Sequence, residues 1–191
     1  MGKLVLVEHL SLDGVMQAPA AADEDTRGGF SRGGWAAAGN DEVMGSVMAK
    51  GMARDGAMLF GRWTYEQFYG FWPGQTDGNP YTDALNRVTK YVVSRTLREP
   101  LPWENSVLIG DVGDVAAVKE RTGLTVLGSG GLAGGLMRRG LVDEWLLMIH
   151  PVVLGTGRRL FGEAREDLRL VDSVITTTGV VIATYRKRED A

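Results

Sequence analysis

The feature that most constrains this chain is a series of short apolar runs separated by longer segments with helical spacing. The runs fall at residues 4–7, 58–60, 91–93, 107–109, 124–127 and 145–149. Each is bounded by turn-forming residues and is too short for a buried helix. Such runs suit strands covered on both faces. Between the first two, Val43, Met44, Val47, Met48 and Met52 share one helical stripe, with Asn40 or Asp41 placed to cap it. A weaker helical segment runs over residues 112–121. Leu132, Ala133, Leu136 and Met137 mark a further helix, which Gly140 stops. Strands alternating with helices predict an α/β fold, a mostly parallel sheet with helices on both faces. The end of the chain departs from this pattern. Residues 170–177 and 180–185 read as two strands joined around Thr178-Gly179, an antiparallel hairpin. The expected order is β-α-β-α-β-β-α-β-α-β-β-β.

Neither a repeat nor a linker interrupts the 191 residues, so residues 1–191 read as one domain. A hydrophobic content of 44% places the chain among globular proteins, and a net charge of −3 gives no reason to expect nucleic acid or an anionic membrane as partner. There is no cysteine, which excludes disulfides, thiol catalysis and Cys-ligated metal. Two histidines cannot build a His-rich metal site, and no metal is expected. The first apolar run ends at once in Glu8 and His9, too soon for a signal peptide or a membrane span. The expectation is a soluble, cytoplasmic protein. Neither a GxSxG elbow nor a P-loop occurs.

Five segments carry residues suited to chemistry. Gly128-Ser129-Gly130-Gly131-Leu132 follows one strand and opens a helix, where glycines admit a phosphate to unpaired backbone N–H groups. A tight turn for helix–sheet packing would use the same residues. A Rossmann unit would carry its glycines earlier, with an acid at the end of the next strand, and here Glu144 begins it. Gly61-Arg62-Trp63-Thr64 is a second strand–turn–helix junction, with Arg62 suited to bidentate phosphate contact and Thr64 adding a donor. At a third strand end Ser94 and Arg95 enter a loop, and two arginines from different strand ends suit an extra phosphate. After strand one, Asp13-Gly14 forms a turn in which Asp13 can bond its own backbone. The stretch from His150 to Phe161 has a histidine more readily explained as a satisfied structural group, then a glycine-containing turn with Arg158 and Arg159. Residues 16–39 form a long irregular segment, which reads equally as a mobile surface loop or as an active-site lid that Phe30 and Trp35 help to close.

Taken in order, LSLDG, LFGRWTYE, VVSRT, VLGSGGLAGGL and VDEWLLMIHPVVLGTGRRLF resemble the dihydrofolate reductase superfamily. The resemblance is closest to the C-terminal reductase domain of the bifunctional riboflavin-biosynthesis enzyme and its stand-alone relatives. It implies an eight-stranded mixed sheet and NADPH as hydride donor. It implies that Gly61, Arg62, Trp63 and Thr64 meet the cofactor phosphates and that Ser94 and Arg95 flank the adenosine 2′-phosphate. Gly128, Ser129, Gly130, Gly131 and Leu132 would hold the pyrophosphate, and Asp13 and Gly14 would lie near the nicotinamide. The carboxylate that the dihydrofolate enzymes carry on their first helix maps loosely onto Asp41 or Glu42. Asp13 and Asp41 are the candidate catalytic residues. No zinc deaminase domain like that of the riboflavin enzyme is expected from these 191 residues, which have no cysteine for its ligands, and TYEQFYGFWPG stands where the resemblance would place a segment with paired acids.

These readings converge on an NADPH-dependent reductase of a small organic C=N or C=O compound, related to the reductase of the ribosylaminopyrimidine of riboflavin synthesis. A dihydrofolate-reductase-like enzyme is an alternative, as is a nucleotide-binding dimer without catalysis. Phe68, Tyr69, Phe71 and Trp72, with Trp35, are expected to border the substrate pocket, because planar heterocycles stack on such rings. Val174, Val180, Val181 and Ile182 are candidates for a face covered in a homodimer.

Overall fold

The computed structural model describes residues 2–52, 56–76 and 78–188. One eight-stranded sheet runs through it in the order β4-β3-β2-β5-β1-β6-β8-β7. The strands are β1 (Leu4–Ser11), β2 (Ala57–Gly61), β3 (Lys90–Val93), β4 (Ser106–Ile109), β5 (Leu124–Leu127), β6 (Glu144–His150), β7 (Leu168–Ile175) and β8 (Val181–Lys187). The first six pair in parallel, and β8 is antiparallel to both β6 and β7. The hairpin thus forms as expected and closes through Thr176, whose N–H donates to Val180 O at 2.9 Å.

The helices are α1 (Glu42–Met52), α2 (Arg62–Phe71), α3 (Pro80–Arg87), α4 (Val115–Lys119) and α5 (Gly130–Arg138). Period-two alternation divides them between the two faces of the sheet. Leu4, Leu6 and Leu10 of β1 and Ala57 and Leu59 of β2 pack with Val115 and Val118 of α4 and Ala133 and Leu136 of α5. Val5 and Val7 of β1 and Met58 and Phe60 of β2 face the other way, onto Met44 of α1, Tyr65 of α2 and Leu85 of α3. The helix α3 is an addition to the expected order. Asn79 caps it, its side chain accepting from Tyr81 N at 3.0 Å, and Pro80 occupies the first turn, where its missing N–H costs nothing.

From β1 the chain crosses by α1 to β2, on one side, and from β5 by α5 to β6, on the other. The direction of winding therefore reverses at the β5–β1 pair. Ligands in open α/β sheets sit beyond the carboxyl ends of the strands at such a point.

The cleft at the strand ends

A cavity of about 890 Å3 opens beyond the carboxyl ends of β1, β2, β3 and β5. Its rim brings together Gly61, Arg62, Trp63 and Thr64, Ser94 and Arg95, and Gly128, Ser129, Gly130, Gly131 and Leu132. Three strand ends separated in sequence therefore meet at one site, and the local chemistry explains why. Ser129 takes a left-handed conformation, φ 66°, and its Oγ accepts from Gly61 N at 3.0 Å, tying the two turns together. Arg62 donates to Thr96 Oγ1 at 3.0 Å, which draws the β3 exit towards the start of α2. Ser94 Oγ accepts from Thr96 N and Leu97 N at 3.2 and 3.1 Å, so this hydroxyl shapes the turn and leaves Arg95 exposed at the rim. No side chain caps α2 or α5, and both open beside the cleft. Their first-turn N–H groups and positive dipole ends suit an anion.

Asp13 and Gly14 are not in this lining. Asp13 accepts from Ser11 Oγ at 2.7 Å, Leu154 N at 3.0 Å and Gly155 N at 2.9 Å, and pairs with Arg159 at 3.3 Å. The Leu154 N–H, then the Ser11 hydroxyl, hold its carboxyl far below the ordinary range. It is a clasp between the β1 and β6 exits. Asp41 also stands apart. One oxygen accepts from Met44 N at 2.8 Å as the cap of α1, and the other accepts from Thr177 N and Oγ1, each at 2.7 Å. The Met44 N–H is the main cause of its lowered pKa. Both carboxylates are saturated by structural bonds.

The aromatic residues redistribute as well. Tyr69 and Phe71 lie on the exposed side of α2. Trp72 packs behind Phe68 and Tyr81, with ring centroids 6.2 and 5.4 Å away, and those two rings reach the cavity. Trp35 turns inward. Its Nε1 donates to Gln17 O at 2.8 Å and its ring meets His150 edge-on. Trp35, Tyr69 and Trp72 are thus second to Phe68 and Tyr81, which with Val7, Met48 and Met148 make an apolar wall.

The long segment is ordered. Gln17 Nε2 donates to Asp25 O and Arg27 O at 3.1 and 2.9 Å, while its Oε1 accepts from Arg158 N at 3.0 Å. Asp25 pairs with both Arg27 and Arg158. The Arg27 guanidinium lies 4.1 Å from the centre of the Trp63 ring, so the loop bridges to α2. Its Met16, Gln17, Glu24, Asp25 and Arg27 line the cavity.

Two lining residues escape motif reading. Glu8 and His9 lie inside the last half of β1 and look in sequence like the polar close of a strand. His9 Nδ1 lies 2.8 Å from His150 Nε2, so one ring donates and the other accepts. Burial, then the neighbouring His150, lowers the His9 pKa to about 4. Glu8 is 3% exposed and its Oε1 has no hydrogen-bond partner among the described residues. Burial, reinforced by the Glu24 carboxylate, raises its pKa well above the usual value. The signal for Glu8 was an acid in the inward alternation Leu6, Glu8, Leu10. Among the described residues no group of acids and histidines could hold a metal, and no helix is long and apolar enough to cross a membrane.

The architecture is that of the dihydrofolate-reductase-like proteins. A protein from Shewanella sp. PV-4 named for riboflavin biosynthesis superposes with TM-score 0.68 at 20% identity, covering 98% of this chain and 99% of its own. Dihydrofolate reductase from Enterococcus faecalis, in complex with NADP(H) and RAB-propyl, gives 0.62 at 14% identity, with 98% of each chain covered. A pyrimidine reductase-like protein from Corynebacterium diphtheriae NCTC gives 0.65 at 11%, over 99% and 93%. The RibD C-terminal domain profile matches residues 3–183, and the chain belongs to that family. The uncharacterized protein YyaP of Bacillus subtilis strain 168 is 31% identical over 137 residues, 67% of this chain and 72% of YyaP.

Proposed function

We propose that this chain is an NADPH-dependent reductase of a small, planar, uncharged organic compound with a C=N or C=O bond. The observation that carries the reading is the convergence of three strand ends on one cleft, with two helix N-termini uncapped by side chains and Arg62 and Arg95 at its rim. A dinucleotide fits this donor set. The N–H groups of α2 and α5 suit a pyrophosphate, and the two guanidiniums suit the additional phosphate of NADPH. When bound, NADPH supplies a hydride. The protein's part is to orient the reactants and exclude water, with the planar acceptor against Phe68, Tyr81, Met48 and Met148. That wall carries no cationic side chain to meet a sugar phosphate, which favours an unphosphorylated acceptor. Likeness to a protein named for riboflavin biosynthesis and to a pyrimidine reductase-like protein supports a nitrogen heterocycle as the acceptor.

The test is NADPH oxidation against pteridines, aminopyrimidines and quinones, with calorimetry on wild type and Arg62→Ala. Arg62→Ala should weaken NADPH binding by about 1.5–3 kcal/mol, roughly 10-fold to over 100-fold, and leave NADH binding little changed. Equal wild-type affinity for NADPH and NADH would refute the cofactor assignment.

A further inference from the structure

The two walls of the cleft belong to opposite faces of the sheet. Val7, Leu127 and Met148 pack with the core beneath α1, α2 and α3, and Met48, Phe68 and Tyr81 join them. Met16 and Leu132 belong to the core beneath α4 and α5. β1 pairs with β6 without a break from Val5 to Ser11, so its side chains alternate regularly. Glu8 therefore shares a face with Leu6 and Leu10, on the side of the glycine turn. Its backbone lies at the junction where β5 ends, for Gly128 N donates to Val7 O at 3.3 Å. A carboxyl in that position is costly unless it has a use, because buried polar groups are normally bonded.

We propose that Glu8 reads the primary carboxamide of a nicotinamide ring, its carboxylic acid giving one hydroxyl donor and one carbonyl acceptor to the amide's C=O and N–H. The proposal rests on the dinucleotide assignment made above. The phosphates of such a ligand cannot face an acid, and Arg62 and Arg95 stand at the exits of β2 and β3 whereas Glu8 lies on β1. The carboxamide is the uncharged part of the ligand that offers a donor and an acceptor side by side.

The surroundings keep this acid in its donor form. Burial does most of this, and Glu24, whose carboxylate accepts from Ala20 N at 2.8 Å, adds a like charge. Leu147 is the β6 register partner, and Ala133 and Leu136 of α5 are uncharged neighbours on the same face. Among other charged groups at the cleft, Arg27 and Arg158 are held by Asp25, and Arg159 by Asp13. Asp111 accepts from Gly113 N, and Arg138 and Arg139 close the far end of α5. His9 points to the opposite face, against His150.

The experiment compares wild type, Glu8→Gln and Glu8→Met by calorimetry with three ligands. These are NADPH, its reduced 3-acetylpyridine analogue, which lacks the amide N–H, and 2′,5′-ADP, which lacks the nicotinamide. Wild type and Glu8→Gln should prefer NADPH over the analogue by roughly tenfold, and Glu8→Met should bind the two alike. All three proteins should bind 2′,5′-ADP equally. Wild-type NADPH affinity should fall relative to that of Glu8→Gln as pH rises through the raised folded-state pKa of Glu8, because ionisation removes the donor. The folded-state pKa is raised, so the stabilisation from this proton is complete below the unfolded value near 4.5 and is lost as pH rises through the folded one. The denaturant midpoint of wild type should accordingly decline with pH relative to Glu8→Gln. A Glu8→Met protein that keeps the NADPH preference, or midpoints that run parallel from pH 5 to 8, would overturn the assignment to Glu8 alone. Failure of wild type to bind 2′,5′-ADP would overturn the dinucleotide reading and this proposal with it.

Discussion

His9 and His150 illustrate how far a residue's role depends on neighbours that motif reading does not reveal. Two histidines 141 positions apart share one hydrogen bond at the end of two adjacent parallel strands. The pair resists protonation, and the sign of the effect follows. His9 has a folded pKa of about 4 against 6.5, so its contribution to stability is present above 6.5 and is lost as pH falls through 4. We predict that wild type loses roughly 3 kcal/mol between pH 7 and 4 from this source, shared with His150. Chemical denaturation of His9→Gln should show a correspondingly flatter acid limb, and a limb as steep as that of wild type would remove His9 from the account. Sequence reading took His150 as a satisfied structural group, and the structure gives it that place. It did not find His9 or Glu8, because their meaning lies in the β1–β6 register and in the gap beyond β5. Asp13 and Asp41 show the converse. An acid in a turn and an acid before a helix are chemically plausible candidates for a site, yet local N–H groups claim both.

At the scale of elements, strand positions were legible because buried strands leave continuous apolar runs, and the hairpin because Thr178-Gly179 punctuates two β-rich runs. α3 was harder to see, since it buries only Thr82 and Leu85 along its length and its signal is the Asn79-Pro80 start. The segment of residues 16–39 looked irregular because its order comes from single side chains and not from periodicity. Asp25 is the keystone, nearly buried and bonded to two arginines. Asp25→Ala should cost about 1–3 kcal/mol and free Arg27 from its place over Trp63. Hydrogen exchange should then rise across residues 16–39 while the helices keep their protection. Unchanged exchange there would show that Phe30 and its apolar neighbours hold the loop unaided.

For the whole molecule, the expected dimer face needs revision. Val180 and Ile182 are buried inside one chain, beneath α1. The exposed apolar residues of the hairpin lie on the edge strand β7: Leu170, Val171, Val174 and Ile175, the last 69% exposed. An uncovered apolar edge invites pairing with another edge, and two-fold association is the commonest way to satisfy it. Light scattering at micromolar concentration should give twice the mass of one chain, and Val174→Lys with Ile175→Lys should give the monomer mass with the fold retained. A wild-type protein of single-chain mass would disprove the dimer.

The split of the cleft between the two faces of the sheet has a consequence for how such a protein can diversify. Residues such as Met48 of α1, Phe68 in the middle of α2 and Tyr81 of α3 pack on the face opposite α5, whereas the first turn of α2 meets the glycine turn through Gly61 and Ser129. Under the proposed function, the apolar wall for the acceptor and the glycine turn are thereby varied largely independently, while the start of α2 serves both. A lineage can retain one ancestral half and improvise on the other, and substitutions at Met48, Phe68 and Tyr81 are where descendants of a common reductase would part company.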